Sequence, residues 1–227
     1  MKGRALKAKL TEGKEATSWS TIEKIINKLH EDLDTERPDY ADYIELILLL
    51  YYCGFENATE IVTLQESMIN HETHTVALSN RTVVLSDRCY ELLEKFHNMA
   101  FIAAWRGNNL LKSWHNGYFK FIIRPSQEYE LDNRTEKAMS ERINSVIAKQ
   151  INSPYHTKIN YSTLYWLGFY DFAVSKYGRE ETDRMFTSRY ESDDITKITA
   201  LAKEYGVRLN SINEIKKHMI PYIDTTD

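Results

Sequence analysis

Between residues 203 and 217 the chain gathers the side chains best suited to meeting a nucleic-acid duplex: Lys203, Arg208, Asn210, Ser211, Asn213, Lys216 and Lys217. Arginine can fork onto O6 and N7 of guanine, and asparagine onto N6 and N7 of adenine. Arg208, Asn210 and Asn213 are therefore the candidate base readers. Lys203, Ser211, Lys216 and Lys217 carry no base code but suit phosphate oxygens.

For these groups to act together, two short helices must cross at a tight turn. The segment Lys197 to Met219 (KITALAKEYGVRLNSINEIKKHM) has the residues for it. Ala202 is small where the helices would touch, and Gly206 can take the positive φ of the turn. Leu201, Tyr205, Val207, Ile212 and Ile215 fall on the inside. This spacing resembles the helix-turn-helix of phage repressors, invertases and transposases. The resemblance implies that the second helix lies in the DNA major groove, with DNA as partner and two half-sites read by a homodimer. Leu209 departs from the polar residue often found at the start of a reading helix; it would meet a thymine methyl. The resemblance covers about a tenth of the chain. The same spacing fits a plain helical corner, because a glycine after a helix is a common C-cap.

A second basic region lies upstream. From Lys95 to Gln127 there is no carboxylate, and five cations interleave with aromatic residues. Arg106, Lys112, Trp114, Lys120 and Arg124 form a basic-aromatic patch that would hold a single strand or brace a duplex backbone. Alternatively the aromatics are core and the cations a solvated rim. Against these stands Glu31 to Glu72, with eleven carboxylates and Arg37 alone. Blocks of opposite sign either steer an anionic partner to one face or pair with each other inside the fold.

Other constellations point to no chemistry. His71-Glu72-Thr73-His74 is not HExxH, and a strand there would send the two imidazoles to opposite faces. His97 reads as a satisfied core residue. Asp32, Asp34, Glu36 and Asp39 alternate like calcium ligands, but Arg37 stands where the loop needs glycine and no glutamate closes it. The phosphate-loop, dinucleotide and nucleophile-elbow motifs are absent from the sequence, and no nuclease or ribonuclease signature is complete. No catalytic residue, metal ligand or cofactor is assigned.

The elements that would position these groups are mostly helical. Eight glycines and four prolines among 227 residues, with 42% hydrophobic and 27% charged, give a globular profile leaning to helix. Residues 1–16 read as a basic mobile tail. Ser20 to Glu23 reads as a capping box opening a helix on Ile22, Ile25, Ile26, Leu29 and Leu33. Pro38 opens a second helix ending near Gly54, and Asn57 with Glu60 caps a third reaching Ile69. β-branched runs from Thr73 to Leu85 predict a hairpin. Asp87 caps a helix to Gly107, and Asn116-Gly117 predicts a second hairpin over 111–123, pairing Trp114 with Phe119. Helices then return over 133–150, 162–177 and 179–190.

The predicted fold is thus mainly α: a multi-helix domain over 17–192 with one or two β-hairpins, followed by a helix-turn-helix over 193–227, separate or part of the same domain. The longest apolar run, Ile44 to Phe55, is too short to cross a membrane, and Cys53 and Cys89, far apart and outside any CxxC, read as reduced core residues of a cytoplasmic protein. The functional expectation is a DNA-binding protein, regulatory or accessory to transcription. The rival is a helical interaction or scaffold protein of viral or mobile-element origin that contacts no nucleic acid.

Overall fold

The structure, a computed structural model, describes residues 18–33, 38–98, 101–106, 109–114, 133–188, 191–207 and 211–223. The chain is mainly helical with small antiparallel sheets. Helices α1 (Trp19–Leu33), α2 (Pro38–Cys53) and α3 (Ala58–Val62) lead through a 3-10 turn (Glu66–Met68) into β1 (Ile69–Asn70), β2 (Thr75–Ala77) and β3 (Thr82–Val84). There follow α4 (Asp87–Asn98), β4 (Phe101–Arg106), β5 (Asn109–Trp114) and α5 (Asn133–Val146), which continues through a π-helical stretch (Ile147–Asn152) and a last turn (Ser153–Tyr155). The chain then forms α6 (Tyr161–Tyr177), α7 (Arg179–Thr187), α8 (Ser192–Tyr205) and α9 (Ile212–Ile223).

Helix α2 is the axis of the core. Ile44, Leu46, Ile47, Leu48, Leu50 and Tyr51 are all buried, so most of its circumference is apolar, while Asp42 and Glu45 make one polar stripe. Helix α6 lies against it, burying Leu164, Leu167, Phe169, Tyr170 and Ala173. Gly168 makes that approach possible. A Cβ there would stand 1.8 Å from the Tyr52 carbonyl oxygen and 2.4 Å from the Tyr205 hydroxyl. The same hydrophobic cluster takes in Leu201, Ala202, Tyr205, Val207, Ile215, Met219 and Tyr222, so the last two helices share the main core. Tyr205 donates to the Tyr52 carbonyl at 2.6 Å, and Tyr222 to that of Thr163 at 3.0 Å. Among the described residues no helix is long and apolar enough to cross a membrane.

Several local expectations shift. The first helix is capped by Ser18, whose hydroxyl accepts from the Thr21 amide at 3.2 Å; Glu23 instead accepts from the Trp19 indole at 2.8 Å. The capping box at Ser20 is therefore two residues out of frame. The third helix stops at Val62 rather than near Ile69. The hairpin over 73–85 is present, with Val76 opposite Val83, and gains β1 as a third strand. His71 to His74 form the turn between β1 and β2, not a strand: Asn70 Oδ1 accepts from the amides of Glu72 and Thr73, and His74 takes a φ of +49°. Both imidazoles consequently face Tyr90, His74 stacked on it with ring centroids 3.8 Å apart. His97 is half-buried, 3.5 Å from Glu66, rather than enclosed in the core.

The largest shift is at the second hairpin. Helix α4 ends at Asn98, and the strand after it pairs Phe101 with Trp114 and Arg106 with Asn109. Trp114 thus has Phe101 as its cross-strand partner, not Phe119. The apolar run from Phe101 suits a strand as well as a helix. Gly107, expected as the helix stop, lies outside the described residues. The expected Asn116-Gly117 turn and the N-terminal tail lie outside the described residues.

Candidate nucleic-acid interface and its supporting charge networks

The C-terminal corner is built from the inside outward. Helix α8 buries Ile198, Leu201, Ala202 and Tyr205 along one stripe, and α9 buries Ile215, Lys216, Met219 and Tyr222. Gly206 ends α8 at φ +87°, a left-handed conformation that glycine takes without steric cost. It is needed for a second reason. A Cβ there would lie 2.1 Å from Cδ of Arg81, whose nearly buried side chain runs beneath the turn to the Gly54 carbonyl (3.0 Å) and the Glu60 carboxylate (2.6 Å).

The seven candidate contact residues meet different fates. Lys203, Ser211, Asn213 and Lys217 are exposed. Asn213 and Lys217, four apart on α9, share its outer stripe. Ser211 also starts that helix, its Oγ accepting from the Glu214 amide at 3.2 Å. Arg208 and Asn210 lie outside the described residues. Lys216 overturns its expectation as a phosphate holder. It points inward, is 8% exposed, and donates to the Ser188 carbonyl at 3.1 Å. Burial draws its ammonium below the usual lysine range, with Asp194 pulling the other way.

Behind the corner stands a charged knot that fixes α7, α8 and α9 together. Asp194, in the first turn of α8, is fully buried. Its carboxylate accepts from Ser188 Oγ at 2.5 Å and Arg184 Nη2 at 2.8 Å. The Ser188 hydrogen bond, followed by that from Arg184, holds Asp194 below the usual carboxylate range. Arg184 also grips Glu181 through two bonds of 2.8 and 2.9 Å, and Lys197 reaches Glu181 at 2.9 Å and Asp193 at 2.8 Å. These bonds, Arg184 first, bring Glu181 down to about 2. With Lys176 on Glu204 at 2.6 Å, the cations Lys176, Arg184 and Lys197 are all occupied. Lys203 and Lys217 have no ion-pair partner among the described residues.

The second basic region is only partly placed. Arg106 is the last residue of β4, and Lys112 and Trp114 lie on β5. Lys120 and Arg124 lie outside the described residues. Lys95, at the start of the carboxylate-free segment, pairs with Asp42 of the acidic block.

Sequence reasoning missed a polar cluster between α1, α2 and α4. His30 Nε2 lies 2.8 Å from Glu45 Oε2 and 3.8 Å from Asp42 Oδ1, the ligand types and spacing of a cation site. The cation there is Arg88: its Nη2 is 2.9 Å from Glu45 and 3.4 Å from Asp42, and its Nε donates to Glu45 at 2.9 Å. Asp42 and Glu45, three apart on a helix, were the legible half of this signal. A cleft of about 520 Å³ opens beside it, walled by Trp19, Tyr52, Ser86 and Arg88. A smaller cleft of about 260 Å³ follows the start of α9, where Trp166 stacks on His218 with centroids 4.4 Å apart and Glu56 and Glu214 supply carboxylates.

Set beside protein-family models, curated proteins and solved structures, the chain matches none of them.

Proposed function

We propose that this chain is a DNA-binding protein, regulatory or accessory to transcription, in which the α8–α9 corner acts as a helix-turn-helix and sets α9 against the duplex. The observation that carries the reading is the division of charge at the corner. The inner cations are consumed by carboxylates, whereas Lys203 and Lys217 face solvent without an ion-pair partner among the described residues, beside Asn213 and Ser211. Unspent cations next to amide and hydroxyl groups on a rigid helix suit phosphate holding and base reading. Arg208 and Asn210 would supply the base-specific contacts.

The reading is tested by titrating salt against binding to random and selected duplexes. Affinity should fall steeply with salt. Lys203→Ala and Lys217→Ala should each lower the slope by roughly one. Arg208→Ala with Asn210→Ala should remove sequence preference at unchanged thermal stability. Absence of binding at low salt would sink the proposal. That outcome would favour a helical interaction protein, a reading supported by Glu214 and Glu204, whose carboxylates interrupt the basic surface of the same corner.

A further inference from the structure

We propose that the cleft of about 260 Å³ between α6 and the start of α9 binds an alkylammonium head group, held by carboxylates from two segments against an aromatic wall. Ser211, Glu214, Ile215 and His218 line it at the spacing of one helical face. Asn213 and Lys217 are not part of that lining, so the site stands whether or not α9 meets DNA.

Four segments converge on the cleft. The turn after α2 brings Glu56, the first turn of α6 brings Tyr161, and the α8–α9 corner brings Val207, opposite the lining face of α9. Further along α6, Tyr165 and Trp166 meet edge to face at 5.3 Å, and Trp166 stacks on His218 at 4.4 Å. These contacts set the wall before any ligand arrives, which lowers the cost of binding. Tyr161 is 45% exposed, an aromatic ring left open at the cleft. Both carboxylates stand on pinned backbone. The Glu56 amide donates to Glu60 Oε2 at 2.8 Å, and the Glu214 amide to Ser211 Oγ at 3.2 Å.

Charge and size select the ligand. Among the described residues no lysine or arginine lines the cleft, and Glu214 has no ion-pair partner. Arg81 approaches Glu56 only to 3.9 Å while bound to Glu60 at 2.6 Å, and a carboxylate accepts several donors. Two carboxylates disfavour an anion, whereas aromatic rings attract a cation through their quadrupole. Val207 and Ile215 suit methyl or methylene groups; a bare metal ion would need more oxygen ligands than this lining supplies. The volume falls below the range of about 300–1,000 Å³ usual for larger ligands, which limits the occupant to a head group of few atoms.

The test titrates the full chain with choline, with n-butylamine and with the neutral isostere of choline in which carbon replaces nitrogen. Binding is read by calorimetry and by the Trp166 indole resonance, assigned through Trp166→Phe. Both cations should saturate at millimolar concentration or below, and the isostere should bind about tenfold more weakly. Glu56→Gln and Glu214→Gln should each weaken choline about threefold to fivefold. Tyr161→Leu should weaken it about threefold. Glu214 and Tyr161 are exposed, so those two variants keep the fold. A peptide carrying one trimethyl-lysine that binds more tightly than choline assigns the head group to a protein side chain; equal or weaker binding assigns it to a free cation. No saturation by any of the cations at millimolar concentration overturns the proposal. So does equal affinity for the isostere, or choline binding undiminished in both glutamate variants.

Discussion

The acidic region around α1 and α2 and the basic corner of α8 and α9 handle charge in opposite ways. In the first, Asp42 and Glu45 are surrounded: Arg88, Lys95 and His30 converge on them from α1 and α4, and charge is spent holding helices together. In the second, an inner layer built on Asp194 and Glu181 is equally closed, but an outer layer of Lys203 and Lys217 is left over. A charge run in sequence thus carries no function by itself. What separates scaffold from contact surface is whether the fold has already supplied the counter-charge.

The comparison breaks most severely at the joint between the two regions. Gly168→Ala would drive a methyl into the Tyr52 carbonyl on one side and the Tyr205 hydroxyl on the other. The expected loss is about 3 kcal/mol or more, or failure to fold, read by chemical denaturation. A loss under about 1 kcal/mol would mean that the helices are free to separate there.

Next come the two carboxylates that anchor the networks. Asp194→Ala removes the buried acceptor shared by Ser188 and Arg184, and should cost about 2–3 kcal/mol. Glu45→Ala should cost less, about 1–2 kcal/mol, because Arg88 is half-exposed and can turn to water. Equal losses would mean that the exposure of Arg88 does not weaken what Glu45 contributes.

Acid should act on the corner in a defined window. Glu181 and Asp194 are both held below their ordinary values, so the stability they lend is complete above the ordinary glutamate value of 4.5. It is lost as pH falls towards about 2. Denaturation midpoints measured across that range should drop in the wild type and drop less in Glu181→Gln. Parallel curves would show that other carboxylates govern acid unfolding.

The smallest effect is the sharpest. Lys216→Ala should lower the melting temperature while leaving the salt slope of DNA binding unchanged, and Lys217→Ala should do the reverse. The two residues are neighbours in sequence, so any shared behaviour would remove the inner and outer layers as separate things.

Much of this was legible from local pattern. The apolar spacing of α1, the long apolar run of α2, the Asn57 cap of α3 and the glycine stops at 178 and 206 all follow from helix periodicity and capping, which depend on residues within a turn or two. The hairpin at 75–84 was legible for the same reason. The strand from Phe101 was not, because a short apolar run with alanines satisfies both periods until a pairing partner is present. The cluster of His30, Asp42, Glu45 and Arg88 was equally hidden. Its members come from three helices, and only the packing of α1 and α4 on α2 brings them together.

By itself the sequence determined the mainly helical class, the stripe that makes the α8–α9 corner internal, and the glycine on which it turns. Only the tertiary structure decided that Lys216 is buried while Lys217 is exposed, that Arg88 neutralises Glu45 and Asp42, and that Ser86 bonds both Cys53 and Cys89. Helix formation is a contest among near neighbours, so a linear reading can follow it. The state of a charge depends on partners from other elements, such as Arg88 for Glu45 and Ser188 for Lys216, and nothing local encodes that.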